Sequence, residues 1–239
     1  MPQWFSSLIE TLPSQCLLCH AWARAPVCAH CAQASTAAPA RCATCALPLP
    51  ADVAAHSPRC GACVVAPPPL QACFAAVSYE SPWSHCVTSY KFNSNPGLAR
   101  YLAQHMRQAA GVHTALAACD VLVPLPLSRE RLAQRGFNQA LELAKPLASG
   151  AGVALDATSL VRLRDTPPQR TLKRAARLAN VKGAFAVLPE RRERIHAQRV
   201  LLVDDVMTSG ASLHAAAAAL LQAGAGEVAA LVFARTGEH

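Results

Sequence analysis

This chain has few aromatic residues, no basic leader and no long uninterrupted apolar run. Phe, Trp and Tyr make up 5% of its 239 residues, so we expect a core packed mainly from Val, Leu and Ala. Residues 1–13 lack the basic start that signal peptides have. The longest uncharged stretch, residues 206–226, contains Thr, Ser, His and Gln and therefore does not predict a membrane span. We expect a cytoplasmic protein.

Acidic residues are also scarce, and the resulting positive charge is unevenly spread. The chain carries 22 Lys and Arg against 14 Asp and Glu, a formal net charge of +8. Residues 129–199 hold 15 of these basic residues and six of the acids. Such a stretch attracts polyanions, whether pyrophosphate or nucleic acid. Charge alone leaves open that the stretch is only a solvated basic surface.

Cysteine, in contrast, is abundant, and its spacing favours metal sites over disulfides. Eight of the eleven cysteines form four Cys-x-x-Cys pairs. Two residues between thiolates let one tight turn direct both sulfurs at a single tetrahedral ion, and cysteine-only ligation leaves no open position for catalysis. We predict two structural zinc sites and favour pairing in sequence order, although spacing alone also allows crossed pairing. The predicted ligands are Cys16, Cys19, Cys28 and Cys31 in the first cluster and Cys42, Cys45, Cys60 and Cys63 in the second cluster.

A proline triplet, residues 67–69, predicts an extended linker between two parts of the chain. We expect a zinc-ribbon module in residues 1–66 and a larger domain in residues 70–239. Alternating strand-like and helix-like segments in the larger part predict an α/β fold, with a mostly parallel twisted sheet and helices on both faces. The predicted strands are residues 72–79, 120–123, 184–188, 200–203 and 228–234, and the predicted helices lie within residues 84–108, 139–148 and 213–223.

The most informative segment follows the predicted strand at residues 200–203. Two carboxylates, Asp204 and Asp205, come directly after it, and a loop of small and hydroxylated residues then opens into a helix. A loop at a helix N-terminus offers N–H groups and hydroxyls to a phosphate, whereas the carboxylates can accept hydrogen bonds from a vicinal diol. Together they predict a ribose 5-phosphate pocket. The predicted phosphate loop is Met207, Thr208, Ser209, Gly210, Ala211 and Ser212.

A second loop follows the predicted strand at residues 120–123. Its prolines fix the backbone, its serine can cap a following helix, and its arginine adds positive charge. Backbone N–H groups and cations of this kind suit a departing pyrophosphate, on which negative charge grows. The predicted pyrophosphate loop is Leu125, Pro126, Leu127, Ser128 and Arg129.

Residues 162–182 form a third candidate, with seven basic residues and one acid. This segment is too polar and proline-interrupted for a core element. It can close over a bound phosphate ester to exclude water, or it can lie along a single nucleic-acid strand. The candidate residues of this basic loop, together with the preceding arginine turn, are Arg135, Gln169, Arg170, Lys173, Arg174 and Arg177.

The chain resembles the ComF family, which has a phosphoribosyltransferase-like fold with an N-terminal zinc ribbon and is associated with natural competence for DNA uptake. The resemblance rests on the cysteine pairs, Tyr90-Lys91-Phe92, the Val-Pro-Leu-Pro-Leu-Ser loop, residues 135–139, 169–180 and 183–185, and the Asp-Asp-Val-Met-Thr-Ser-Gly loop. It implies that phosphoribosyl pyrophosphate (PRPP) binds with Mg²⁺. It also implies that Asp204 and Asp205 bind the ribose hydroxyls directly or through Mg²⁺.

Three functions stay open at this point. The chain can be a phosphoribosyltransferase whose acceptor is unknown, or a competence factor that handles single-stranded DNA alongside a helicase or translocase. It can also be a PRPP-sensing regulator without catalysis. The stretch after the last predicted strand, residues 235–239, lacks the aromatic platform that purine-salvage enzymes usually present to a base.

Overall fold

The computed structural model describes residues 14–33, 39–92, 97–164 and 183–237. Its N-terminal part contains only short elements, arranged around the cysteine pairs. They are β1 (Ser14–Gln15), β2 (Trp22–Ala23), α1 (Ala29–Gln33), α2 (Ala51–His56) and α3 (Gly61–Val65). The first two strands pair antiparallel and form a small hairpin.

Longer strands and helices alternate in the rest of the chain, as the sequence predicts. They are β3 (Cys73–Ser78), α4 (Trp83–Phe92), α5 (Leu98–Gln108), α6 (Val112–Ala118), β4 (Val121–Pro124), α7 (Arg129–Arg135), α8 (Gln139–Ala151), β5 (Ala154–Leu155), β6 (Leu160–Arg162), β7 (Phe185–Val187), β8 (Arg199–Met207), α9 (Ala211–Gln222) and β9 (Glu227–Arg235). A 3₁₀ segment, Pro189–Arg194, precedes β8.

Five of the strands form a parallel sheet in the order β3-β9-β8-β4-β5. β8 lies in the middle and pairs along its length with β9, from Arg199 opposite Glu227 to Met207 opposite Arg235. On its other side β8 pairs with β4. In a parallel sheet the carboxyl ends of all strands lie at the same end of the sheet, which is called its carboxyl edge here. Ligands bind at this end in folds of this kind.

Both faces of the sheet are covered, because alternate residues of each strand enter two separate cores. Val200 and Leu202 of β8 pack with α9 on one face. Leu201 and Val203 pack with α4, α5 and α8 on the other. α5 fits this role because its apolar residues fall on one side of the helix, with Leu98, Leu102 and Met106 buried. The predicted α/β fold with a parallel sheet and helices on both faces is thus confirmed.

Three details differ from the sequence-based expectations. β8 does not end at residue 203 but continues to Met207, because β9 offers it partners up to Arg235. The segment 185–187 forms an antiparallel pair with β6 rather than a strand of the parallel sheet. The helix α6 and the short strands β5 and β6 have no counterpart among the predicted elements. Among the described residues, no helix combines the length and apolar character needed to cross a membrane.

Candidate functional site

The acidic pair lies within the central strand, at the carboxyl edge of the sheet. Asp204 accepts a hydrogen bond on Oδ1 from the backbone N–H of Asp205 at 2.8 Å. Asp205 is buried and forms an ion pair with Lys91 near the end of α4, with 3.0 Å between Nζ and Oδ1. The side chains of Lys91 and Asp205 are only 19% and 8% exposed, so this pair is shielded from solvent. The fold therefore neutralises the carboxylate of Asp205 directly.

The carboxyl group of Asp204 ionises less readily than a carboxyl group in water. Burial, followed by the negative charge of Asp205, raises the pKa of Asp204 to about 7. The positive charges of Lys91 and Arg135 act in the opposite direction and limit this rise. A carboxyl group of this kind gains much from a cation or a hydrogen-bond donor that arrives with a ligand, since such a partner stabilises its charged form.

The predicted phosphate loop surrounds a small cavity at the start of α9. The cavity has a volume of about 50 Å³ and is lined by Asp204 and residues 206–213. That is several times the room of roughly 10–15 Å³ that one water molecule needs, and it suits a group of phosphate size. The N-terminal turn of α9, a twelve-residue helix, supplies N–H groups that have no partner within the helix and the positive end of the helix dipole.

Gly210 is required by the shape of this loop. Its φ of +78° lies in the left-handed region, and a Cβ added there would lie 2.5 Å from Cε of Met207 and 2.8 Å from the ring of His214. Only glycine therefore lets the chain turn from β8 into α9 at this point. Ser209 stabilises the turn by accepting a hydrogen bond on Oγ from the N–H of Ala211 at 3.5 Å.

The predicted pyrophosphate loop lies beside the acidic pair. The N–H of Leu125 donates to the carbonyl of Val203, the residue before Asp204, at 2.9 Å. Ser128 caps α7 by accepting from the N–H of Arg131 at 3.3 Å, as its position in the sequence suggested. Arg129 is exposed. The loop thus occupies the carboxyl end of β4, next to the carboxyl end of β8.

The turn at residues 135–139 is fixed from both sides. Asn138 donates from Nδ2 to the carbonyl of Leu125 at 3.2 Å and also caps α8. Arg135 donates from Nη1 to Oε1 of Gln139 at 3.0 Å. The hydroxyl of Tyr90, a fully buried residue, donates to the carbonyl of Gln139 at 2.8 Å. The end of α4 therefore holds this turn through Tyr90 and the acidic pair through Lys91.

The cysteines form two compact groups, in sequence order. In each group the four sulfur atoms lie within 4.8 Å of one another, a spacing that fits tetrahedral coordination of one zinc ion. Backbone N–H groups support the sulfurs as well. Cys28 donates to Sγ of Cys16, and Cys60 donates to Sγ of Cys42, both at 3.3 Å. Burial opposes ionisation of Cys42, yet such amide donors lower the pKa of this thiol to about 7.

The two clusters lie on opposite faces of the sheet. Cys16 belongs to the core that contains α4 and α5, and the neighbouring carbonyl of Val27 accepts from the hydroxyl of Tyr101 at 3.4 Å. The second cluster belongs to the core that contains α9 and Met207. All four of its cysteines are buried, whereas Cys19 of the first cluster is exposed. The division into residues 1–66 and 70–239 stays a prediction.

Comparison with known proteins places this arrangement in a family. Residues 138–239 match the phosphoribosyl transferase domain. The chain is 35% identical over 234 residues to the DNA utilization protein YhgH of Salmonella typhimurium, covering 95% of this chain and 99% of that protein. It is 29% identical over 177 residues to competence protein F of Haemophilus influenzae, covering 72% and 76% of the two chains. Competence protein ComFC of Bacillus subtilis is 37% identical over 107 residues, 44% of this chain and 39% of that protein.

The chain belongs to the ComF family. It is thus a competence-related protein with a phosphoribosyltransferase-type domain. In this ComF protein the structure brings together Asp204, Asp205, the phosphate loop, the pyrophosphate loop and Arg135. Gln169, Arg170, Lys173, Arg174 and Arg177 lie outside the described residues, so their predicted role stays a prediction.

Lys91 is a residue of this site that the sequence did not reveal. It stands in the Tyr90-Lys91-Phe92 segment that supports the family resemblance, but no local pattern connects it to Asp205. The useful signal is indirect. A pair of adjacent carboxylates at the end of a buried strand requires a cation, and a lysine at the end of a helix covering that strand can supply one.

The unequal burial of the two cysteine clusters predicts two rates of metal loss. We expect two zinc ions per chain, with the first cluster yielding its ion to a chelator before the second, because exposed sulfurs are open to attack. Time-resolved zinc release with a colorimetric chelator, after elemental analysis of the untreated protein, measures both quantities. Cys19→Ser should remove the fast phase alone. A single release phase in the parent protein would contradict this assignment.

Proposed function

We propose that this ComF protein binds PRPP together with Mg²⁺ at the carboxyl edge of its sheet. The observation that carries the proposal is the position of the acidic pair, with Asp205 buried and Asp204 half-buried, directly beside a phosphate-sized cavity at a helix N-terminus. A phosphate and a vicinal diol on the same sugar need complementary groups of this kind, a short distance apart. The match of residues 138–239 to the phosphoribosyl transferase domain supports the same ligand class.

Each part of the site has a distinct role in this proposal. N–H groups and hydroxyls of the phosphate loop hold the 5′-phosphate. Asp204 and Asp205 accept from the ribose hydroxyls or hold Mg²⁺, whose preferred ligands are carboxylate oxygens and phosphate oxygens. When bound, Mg²⁺ neutralises charge on the pyrophosphate group. Lys91 pairs with Asp205 and orients it, so that the carboxylates are in place before the ligand arrives.

The pyrophosphate loop completes the ligand shell. It starts beside Val203 and ends at the N-terminus of α7, so its backbone runs past the acidic pair. Arg135 adds a positive charge that also influences Asp204. In this proposal the pyrophosphate group of PRPP faces the pyrophosphate loop and Arg135, because these groups stabilise the negative charge that accumulates on it.

A second proposed role concerns single-stranded DNA. Two observations favour it, namely the names of the relatives, which refer to competence and DNA utilization, and the excess of basic residues within 129–199. We propose that residues 162–182 contact the DNA backbone, in the service of competence machinery such as a helicase or translocase. The two roles are compatible, because PRPP would contact the acidic pair, whereas DNA would contact residues 162–182.

Removing the charge of the acidic pair should strongly weaken PRPP binding. We expect the variant carrying Asp204→Asn and Asp205→Asn to bind Mg²⁺ and PRPP at least about 100-fold more weakly than the parent, since each hydrogen bond to a charged group is worth about 1.5–3 kcal/mol. Isothermal titration measures this. Asp120→Asn is the matched control. Asp120 is also an acid with a basic partner, Arg199, but it lies at the amino ends of β4 and β8, away from the proposed site. Equal binding by parent and double variant would contradict the proposal.

The high pKa of Asp204 predicts a pH-dependent affinity. Below about pH 7 this carboxyl is protonated and has no charge to offer a cation. We therefore expect the affinity for Mg²⁺ and PRPP to fall towards acid pH, approaching tenfold per pH unit. Asp204→Asn separates this effect from the titration of PRPP itself, because its weaker binding should lack that part of the pH dependence. Parallel profiles for both proteins would assign the titration to the ligand.

The basic segment should set the salt dependence of DNA binding. Replacing Arg170, Lys173, Arg174 and Arg177 with Ala should flatten the plot of log affinity against log salt by about 0.7 for each phosphate of a single strand that these side chains neutralise. Fluorescence anisotropy with a labelled oligonucleotide measures the slope. Replacing Arg191, Arg192 and Arg194 of the 3₁₀ segment provides a control of similar charge. An unchanged slope in the first variant would remove residues 170–177 from the DNA interface.

Ligand binding alone does not distinguish a transferase from a PRPP-sensing regulator. Release of pyrophosphate from bound PRPP on addition of an acceptor marks a transferase. Tight binding without release across a panel of bases and amines fits the regulator.

A further inference from the structure

Arg235, the last residue of β9, connects the second cysteine cluster to the phosphate loop. Its side chain is buried, with 4% exposure. Nε donates to the carbonyl of Cys45 at 2.9 Å. Nη1 donates to the carbonyl of Thr208 at 2.5 Å and to that of Thr236 at 2.6 Å. A single planar guanidinium thus contacts a metal-binding turn on one side and the loop that precedes α9 on the other.

The contact between turn and loop is reinforced by neighbouring groups. The N–H of Cys73 donates to the carbonyl of Ala43 at 2.9 Å, and Sγ of Cys73 lies 3.6 Å from Sδ of Met207. The second cluster and Met207 share one buried core. Because packed cores of this kind transmit small displacements, a change in the turn at residues 42–46 reaches the start of the phosphate loop.

The position of the Arg235 side chain depends on the charge of the second cluster. Within the described part of the chain, the hydrogen-bond partners of Arg235 are neutral carbonyl and hydroxyl groups. Arg41 lies nearby and donates to the carbonyl of Ala46 at 3.1 Å. Two cations therefore flank the turn, and a buried cation such as Arg235 needs a counter-charge.

A metal-loaded second cluster supplies that counter-charge. Four thiolates outweigh the charge of one zinc ion, so the loaded cluster is net negative. Without metal, protons bind to the sulfurs instead and reduce that negative charge. The loaded cluster also fixes the carbonyl of Cys45, which is the acceptor for Nε of Arg235. Loading therefore favours the observed position of the guanidinium through both charge and geometry.

We propose that Arg235 is a positioning residue through which metal loading of the second cluster orders the phosphate loop. The link itself is independent of the ligand, and only its use in regulating PRPP binding rests on the proposed function. Without metal, the counter-charge of Arg235 is reduced and its acceptor at Cys45 is not fixed, so the carbonyl of Thr208 is less restrained. The coupling is reciprocal, so that a ligand held by the loop strengthens metal binding by the same factor.

Amide hydrogen exchange of residues 207–213, followed by mass spectrometry without any ligand, tests the link. We expect exchange in this segment to be about tenfold slower in the zinc-loaded parent than in Cys60→Ser, which disables the second cluster alone. Cys19→Ser, which disables the first cluster, should leave this exchange unchanged. Arg235→Gln should exchange as fast as Cys60→Ser while retaining two zinc ions.

Arg41→Gln is the matched control, because Arg41 contacts the same turn but donates its other bond to Ser78 rather than to the loop. It should retain slow exchange in residues 207–213. Equal exchange in parent and Cys60→Ser, or slow exchange in Arg235→Gln, would overturn the proposal. If Cys60→Ser does not fold, the comparison of Arg235→Gln with Arg41→Gln decides. A parent that shows the link but does not bind Mg²⁺ and PRPP would refute the proposed function alone.

Discussion

The parallel pairing of β8 with both of its neighbours is the constraint on which the rest of this structure depends. A strand in the middle of a sheet satisfies its backbone groups on both sides, and in this chain it is also covered on both faces. Because β4, β8 and β9 run in the same direction, their carboxyl ends meet at one edge. Leu125, Asp204 and Arg235, which are far apart in the sequence, come together there for that reason.

This edge combines features that oppose stability with features that prepare a site. Two adjacent carboxylates in a buried strand repel each other and lose hydration, which is unfavourable in the absence of a ligand. Lys91 offsets the cost for Asp205, while Asp204 keeps a raised pKa. Unfavourable charge arrangements of this kind are concentrated at ligand-binding sites, because a bound ligand can supply the missing partner.

Much of the fold and part of the site could be predicted because the signals are local. Cys-x-x-Cys spacing indicated both clusters, and the apolar run at residues 200–203 located the central strand. The strand's extension to Met207 was not predictable in this way, since carboxylates disfavour strands and only pairing with β9 explains it. Lys91 and Arg235 were missed for the same reason, because their partners lie in distant parts of the chain. Side-chain contacts of that kind leave no periodic pattern in the sequence.

The hydrogen bond between Arg235 and Cys45 spans 190 residues of chain, and this separation has a consequence for biosynthesis. At about 5–20 residues per second, a ribosome needs roughly 10–40 s to add β9 after the turn at Cys45 has been made. During that interval the thiols of the second cluster have been made, but the strand that later helps to enclose them has not. Thiolates that bind a metal are not open to oxidation, so the order of synthesis lets metal binding at this cluster precede its enclosure by β9.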